Sequence, residues 1–372
     1  VAGTGIIGKN RMEGGTVKIG SFSRIPVKVH WTFGVLILFV SYSIFTSEQK
    51  MEENFATLAF LGGIFFCVVL HEFGHALTAR RYGVVTRDII LSPIGGVARM
   101  ERMPEKPFHE FVIALAGPLV NLVIGLAMAV YLYLFTDRIF PEVVDFQFKE
   151  AEEFMRYMTM MNFLLFGFNL IPAFPMDGGR ILRAILSAKL GRVPGTKVAT
   201  FVGRFIAALF IIMGIFQAEI VLGLIGLFIF MMAGKEYDQA RITQLLDKTT
   251  AAEIMRTAFT RLHLSDTYSM VIEKYYREGE QNFLVFDSLG NFSGTVPELF
   301  IKDVIKHNTP DKTVNQLMSG KAMMVPPSKS LKEIIELMKN EGIAIVAVGE
   351  ENHIMGILDR NGIENYIRIK SE

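Results

Sequence analysis

Leu70-His71-Glu72-Phe73-Gly74-His75 closes an apolar segment that runs from Phe55 to Arg80, and its reading decides the fold. Residues four apart sit one turn above the other on the same face of a helix, so both imidazoles can reach one ion. Glu72 is offset by about 100° and stands beside a metal rather than on it. A glutamate placed there can take a proton from water, while zinc acidifies that water and polarises a scissile carbonyl. A lone HExxH pattern recurs by chance in soluble helices. Three ionisable residues inside an apolar span are costly and point to function; the bland alternative is a hydrogen-bonded polar cluster bridging helices.

Apolar residues make up 51% of the 372-residue chain, and their long runs fall before about residue 234, which implies a membrane part followed by a soluble part. Six stretches approach the roughly 20 residues a span requires: 31–47, 54–78, 108–135, 154–172, 198–216 and 219–234. Basic residues mark the loops retained in the cytoplasm. They crowd the N-terminal flank (Lys9, Arg11, Lys18, Arg24, Lys28), the second loop (Arg80, Arg81, Arg87, Arg99, Arg102, Lys106) and the fourth (Arg180, Arg183, Lys189, Arg192, Lys197). The alternate loops hold only Lys50, then Arg138 and Lys149. Six spans with both termini cytoplasmic fit this alternation. The opening stretch to about Gly20 is rich in glycine and shows no signal-peptide core, with Met12 an alternative start to Val1.

Lys and Arg number 38 against 37 Asp and Glu, and that balance argues against a nucleic-acid partner, which needs a basic stripe. Cys67 is the one cysteine, so a metal is held mainly by histidine and carboxylate.

Two histidines leave a catalytic zinc one protein ligand short, since three plus water is usual. Asn169-Leu170-Ile171-Pro172-Ala173-Phe174-Pro175-Met176-Asp177-Gly178-Gly179 offers Asp177. The second and fourth spans both run inward, His71 lies about 14 Å before Arg80 on a helix, and Asp177 closely precedes Arg180, so their depths can match. Pro172 and Pro175 break the helix, and irregular backbone at membrane depth is tolerated only where it is buried or lines a wet cavity. Cys67, one turn before His71, competes as a ligand. Three ligands at i, i+4 and i+8 would lie nearly in line, which a tetrahedral ion cannot satisfy, so Cys67 reads as a packed apolar residue.

Beyond Lys235 to Lys248, an amphipathic connector, the tail repeats itself. Glu253-Ile254-Met255 is echoed by Gln316-Leu317-Met318, Arg277-Glu278-Gly279 by Asn340-Glu341-Gly342, and Gly294 by Gly356, an offset of about 63 residues. Each unit reads as strand, helix, two apolar strands and a closing helix. This order resembles a tandem pair of cystathionine-β-synthase (CBS) domains.

With these residues in place, the chain resembles the site-2 protease family of intramembrane metalloproteases, in particular its six-span branch with C-terminal CBS domains. The resemblance rests on Leu70 to His75, on Leu91-Ser92-Pro93-Ile94-Gly95-Gly96-Val97-Ala98, on Ala116-Gly117-Pro118, and on Asn169 to Arg180. It implies His71, His75 and Asp177 as ligands of one Zn2+, Glu72 as general base, and Asn169 as a group holding the substrate backbone or oxyanion, with a helix-capping or packing amide as the alternative. The strand-like, glycine-rich segment Ile89 to Met100 offers an edge for pairing with an unwound substrate, with close approach at Gly95 and Gly96. The resemblance also implies single-span membrane substrates, among them membrane-tethered transcription regulators and anti-sigma factors, and a homodimer through the CBS pair. An adenine nucleotide is implied for typical CBS units, yet the aspartate that grips its ribose is missing after both Gly294 and Gly356.

The expected fold is a mainly α polytopic membrane protein with six transmembrane helices and a membrane-associated β-hairpin, followed by an α/β tandem CBS pair. The expected map is 1–30 N-terminal cytoplasmic segment, 31–234 membrane-embedded metalloprotease, 235–249 linker, and 250–372 CBS domains at 250–309 and 313–370. Two other readings compete: a CBS-regulated ion channel or transporter using His71, Glu72, His75 and Asp177 as an ion pathway, and a membrane-anchored zincin acting on soluble substrates.

Overall fold

The computed structural model describes residues 15–46, 51–93, 95–101, 104, 106–142, 151–307, 312–350 and 353–371. Met12 and the charge-count residues Lys9, Arg11, Lys50, Arg102 and Lys149 lie outside them. Two compact units are present, Val1–Tyr237 and Asp238–Glu372.

The first unit opens with β1 (Thr16–Phe22) and β2 (Ile25–His30), followed by α1 (Trp31–Phe45), α2 (Met51–Arg81), β3 (Thr86–Ser92), β4 (Gly95–Met100), α3 (Pro107–Phe135), α4 (Ala151–Asn169), α5 (Asp177–Leu190), α6 (Arg192–Phe216) and α7 (Ile220–Lys248). The strands form one sheet in the order β1-β2-β3-β4. The β3–β4 hairpin lies where the glycine-rich segment was expected. The N-terminal hairpin was expected only as a cytoplasmic segment, and its turn explains why. Ser23 and Arg24 both take positive φ, 51° and 65°, the geometry of a two-residue hairpin turn that usually carries Asn-Gly, so no turn signature stands in the sequence. β2 runs parallel to β3, with Val27 opposite Ile89.

Alternation puts Ile25, Val27, Ile89 and Leu91 on one face of the sheet, where they bury against Phe73 and Ala76 of α2. Phe22 meets the Phe73 ring edge-on at 5.4 Å. Phe73 lies about 200° around the helix from His71, so packing it on the sheet turns the histidines toward the other helices. Asp88, 2% exposed, accepts from Arg99 Nε at 2.6 Å and pairs with Lys28 Nζ at 2.8 Å. These two cations tie β2, β3 and β4 together and hold the Asp88 carboxyl below the ordinary carboxylate range, Arg99 contributing most.

Among the described residues, four helices are long and apolar enough to cross a membrane: Asn54–Arg81, Pro107–Phe135, Arg192–Phe216 and Ile220–Lys248. The other two expected spans fall short for different reasons. α1 has 15 residues, about 22 Å at the usual rise, against a hydrocarbon core of roughly 30 Å. α4 has 19 residues but carries Glu152, Glu153 and Arg156 near its start. It ends at Asn169, and α5 begins afresh at Asp177 after the stretch holding Pro172 and Pro175.

The second unit contains α8 (Ala251–Ile254), β5 (Arg261–His263), α9 (Tyr268–Arg277), β6 (Phe283–Phe286), β7 (Phe292–Val296), α10 (Glu298–His307), α11 (Val314–Leu317), β8 (Met324–Val325), α12 (Leu331–Glu341), β9 (Ile345–Glu350), β10 (His353–Asp359) and α13 (Arg360–Ser371). The expected strand-helix-strand-strand-helix order occurs twice, on sheets β5-β6-β7 and β10-β9-β8. The repeat has a local cause. Glu253 and Gln316 are the third residues of matched capping boxes closed by Thr250 and Thr313. Phe283 and Val285 face their own helices, while Leu284 and Phe286 pack with Ile345 and Ala347 of the other sheet. Strands buried on both faces read as continuous apolar runs.

Candidate metal centre

Helix spacing brings His71 and His75 together, and the break before α5 lets Asp177 reach them. The two Nε2 atoms are 3.1 Å apart, and Asp177 Oδ2 lies 3.1 Å from each. His71, His75 and Asp177 are 6%, 3% and 6% exposed, and they form the metal-capable cluster found among the described residues.

The surroundings fix what these atoms are. His75 Nδ1 lies 2.7 Å from the Ile113 carbonyl, which only accepts, so this nitrogen carries the proton and Nε2 presents a lone pair. His71 Nδ1 faces Asn121 Oδ1 at 2.6 Å, and the Asn121 amide is oriented in turn by donating to Asn162 Oδ1 at 3.1 Å. With each Nδ1 so engaged, a neutral imidazole at either position turns its Nε2 lone pair toward Asp177 Oδ2, an arrangement that a cation stabilises. Tetrahedral zinc with bonds of about 2.0–2.1 Å would set its ligand atoms roughly 3.3 Å apart, close to the 3.1 Å triangle here. The residues therefore fit zinc.

The space beside these three atoms comes from α3. A Cβ on Gly117 would crowd His75 Nε2 and stand 2.7 Å from His71 Nε2. Ala116-Gly117-Pro118 thus contributes a bare patch of helix opposite the three side chains, and α3 continues through Pro118.

Glu72, 9% exposed, points elsewhere: its Oε2 accepts the Ala98 N–H of β4 at 2.8 Å. Behind Asp177, Arg183 is buried between Glu110 of α3, 2.7 Å from its Nε, and Glu236 of α7, 2.7 Å from its Nη1. This triad ties α5 to α3 and α7.

The sequence-derived candidates divide accordingly. His71, His75 and Asp177 come together, with Glu72 adjacent on α2. Gly96 lies against Glu72, since a Cβ there would be 2.7 Å from its Cγ; for Gly95 a Cβ would meet nothing within 4 Å. Asn169 donates from Nδ2 to the Leu165 carbonyl one turn back, at 2.9 Å, the bond of a capping amide. Cys67 packs with Phe60, Tyr157 and Met158. Arg183, counted from sequence among cytoplasmic-loop cations, is 3% exposed. Asn121, Asn162 and Glu110 went unrecognised, although each is a polar residue within an apolar run, a signal that was available.

Peptidase family M50 matches residues 59–151 and 139–213, which include every residue of the triangle. Residues 59–213 thus carry a Peptidase M50 domain, the domain of the site-2 proteases. A CBS domain follows at residues 314–368. The chain is 36% identical over 240 residues to a zinc metalloprotease of Methanocaldococcus jannaschii, an alignment covering 64% of this chain and 66% of that relative, just under two thirds of its length. A provisionally named zinc metalloprotease of Synechocystis is 25% identical, with 93% of this chain and 94% of the relative covered. A solved site-2 protease of M. jannaschii is 36% identical and covers 60% of this chain and 95% of its own, with a TM-score of 0.44.

One consequence concerns the polar groups behind the ligands. Asn121→Ala should weaken zinc binding by about 10- to 100-fold, because it leaves the His71 Nδ1–H without its acceptor. Competition with a chromophoric chelator measures this, and unaltered affinity would remove Asn121 from the site.

Proposed function

We propose that this protein is an intramembrane zinc endopeptidase that cuts single-span membrane proteins. The observation that carries the reading is the triangle of His71 Nε2, His75 Nε2 and Asp177 Oδ2, 3.1 Å on each side, next to a glutamate. Zinc held there would supply a Lewis acid that acidifies water and polarises a peptide carbonyl. Glu72, one residue along α2 from a ligand, would accept the proton and pass it to the leaving amine. Asn169 keeps a second amide proton and its carbonyl oxygen for the substrate backbone. The unwound substrate would lie along β4 near Gly95 and Gly96, since a transmembrane helix hides its amides until it opens.

In this reading the chain crosses the cell membrane six times with both termini cytoplasmic. α1 and α4 supplement the four long helices, and α1 carries exposed Trp31, Leu38 and Phe39, surfaces suited to lipid. The units at 250–309 and 313–370 act as a CBS pair for regulation or homodimerisation, and membrane-tethered transcription regulators or anti-sigma factors are the natural substrate class. Adenine-nucleotide control has weaker support. Asp359, on a cavity lined by Ile254, Arg256 and Gln281, already accepts from Asn282 Nδ2 at 2.9 Å and from the Gly362 N–H at 2.7 Å.

The deciding experiment uses the full chain in lipid vesicles with candidate single-span substrates. Cleavage should vanish on zinc chelation and return with zinc. Equal cleavage of a water-soluble peptide would favour a membrane-anchored zincin. Ion flux without any cleaved product would favour the transporter reading.

A further inference from the structure

The sheet beside the metal centre ends at β4, whose outer edge has no strand partner among the described residues. Along a strand, the N–H and C=O of one residue leave toward the same edge, and successive residues alternate. Ala98 N–H donates to Glu72 Oε2 at 2.8 Å, so it points away from β3. Gly96, two residues earlier, presents its own N–H and C=O on that same edge. The face of β4 toward α2 is tightly closed: a Cβ on Gly96 would stand 2.7 Å from Glu72 Cγ and 3.1 Å from Val68 Cγ1, and Ala98 packs against the cluster holding Phe73 and Ile89. Glu72 therefore rises past Gly96 and curls to the free edge.

We infer that the backbone amide of Ala98 positions the Glu72 carboxylate at the edge along which substrate lies. The inference rests on Glu72 being the base proposed above. A glutamate has several rotatable bonds, and only some of its rotamers bring the carboxylate to a reacting water. The amide of a strand locked into a sheet selects among them. It also sets a register: with Ala98 N–H engaged, the Gly96 N–H and C=O remain for pairing, and the substrate bond facing Ala98 is the one beside Glu72.

Ala98→Pro tests this without opening the sheet, because the deleted N–H is not a donor to β3 and edge strands accept proline at such positions. The full-length protein, in phosphatidylethanolamine–phosphatidylglycerol vesicles, is assayed for kcat and KM on a single-span substrate, with zinc content measured in parallel. Substrate Kd is measured on the Glu72→Gln protein with and without Ala98→Pro. Expected is a fall in kcat of about 100-fold, the scale of a catalytic group displaced by an ångström, with zinc and Kd unaltered. Unchanged kcat overturns the inference. So does a rise in Kd that matches the whole effect, which would give the amide to substrate pairing instead. If the proline variant loses zinc, replacing Ala98 by lactic acid, which removes only the N–H, decides by the same readouts. Failure of the wild type to cleave with zinc bound would sink the proposed function; a wild type that cleaves no faster than Ala98→Pro would sink this inference alone.

Discussion

Glu72→Gln is expected to slow cleavage by about 10²- to 10⁴-fold, the usual contribution of a general base, while zinc content stays that of the wild type. The two readouts separate because Glu72 is not part of the ligand triangle. His71 and His75 are oriented by Asn121 and the Ile113 carbonyl, not by Glu72. The glutamine oxygen can still accept the Ala98 amide, so the β4 contact survives and the loss is confined to proton transfer. Rates on a membrane-embedded substrate and metal analysis of the same preparation check it. A variant that cleaves at the wild-type rate would exclude Glu72 as the base, and altered ion flux with no cleaved product would turn the reading toward transport.

Gly117→Ala should yield a folded protein without bound zinc. The added methyl would sit 2.5 Å from His75 Cε1 and 2.7 Å from His71 Nε2, among atoms that must come within about 2.0–2.1 Å of the ion. The helix itself gives no reason for loss of structure, since alanine in a helix interior is favoured over glycine by about 1 kcal/mol. Helical circular dichroism close to that of the wild type, with no metal by mass spectrometry, is the expected pair of results. Full zinc occupancy would show that the ion does not lie against α3. The substitution probes the site from α3, which contributes none of the three clustered side chains.

Much of this site was legible because its logic is local. The spacing of His71 and His75 needs only helix periodicity, and the break ahead of Asp177 needs only Pro172 and Pro175. The repeat between Glu253 and Gln316 is a pair of capping boxes written within four residues each. The β1–β2 hairpin was illegible for an equally local reason: Ser23 and Arg24 adopt positive φ without the residue types that usually announce it.

The rest is decided by packing between segments distant in the chain. Helix geometry can place two imidazoles on one face but cannot say which nitrogens carry protons; that depends on Asn121, 50 residues from His71, and on the Ile113 carbonyl. Nor can it show that Gly117 clears the space for an ion, or that Arg183, counted as a loop cation, is a buried tie between Glu110 and Glu236. The motif pairs two imidazoles because their spacing is a property of one helix. It leaves open protonation, cavity and the setting of Glu72, because those are properties of what the tertiary fold lays against it.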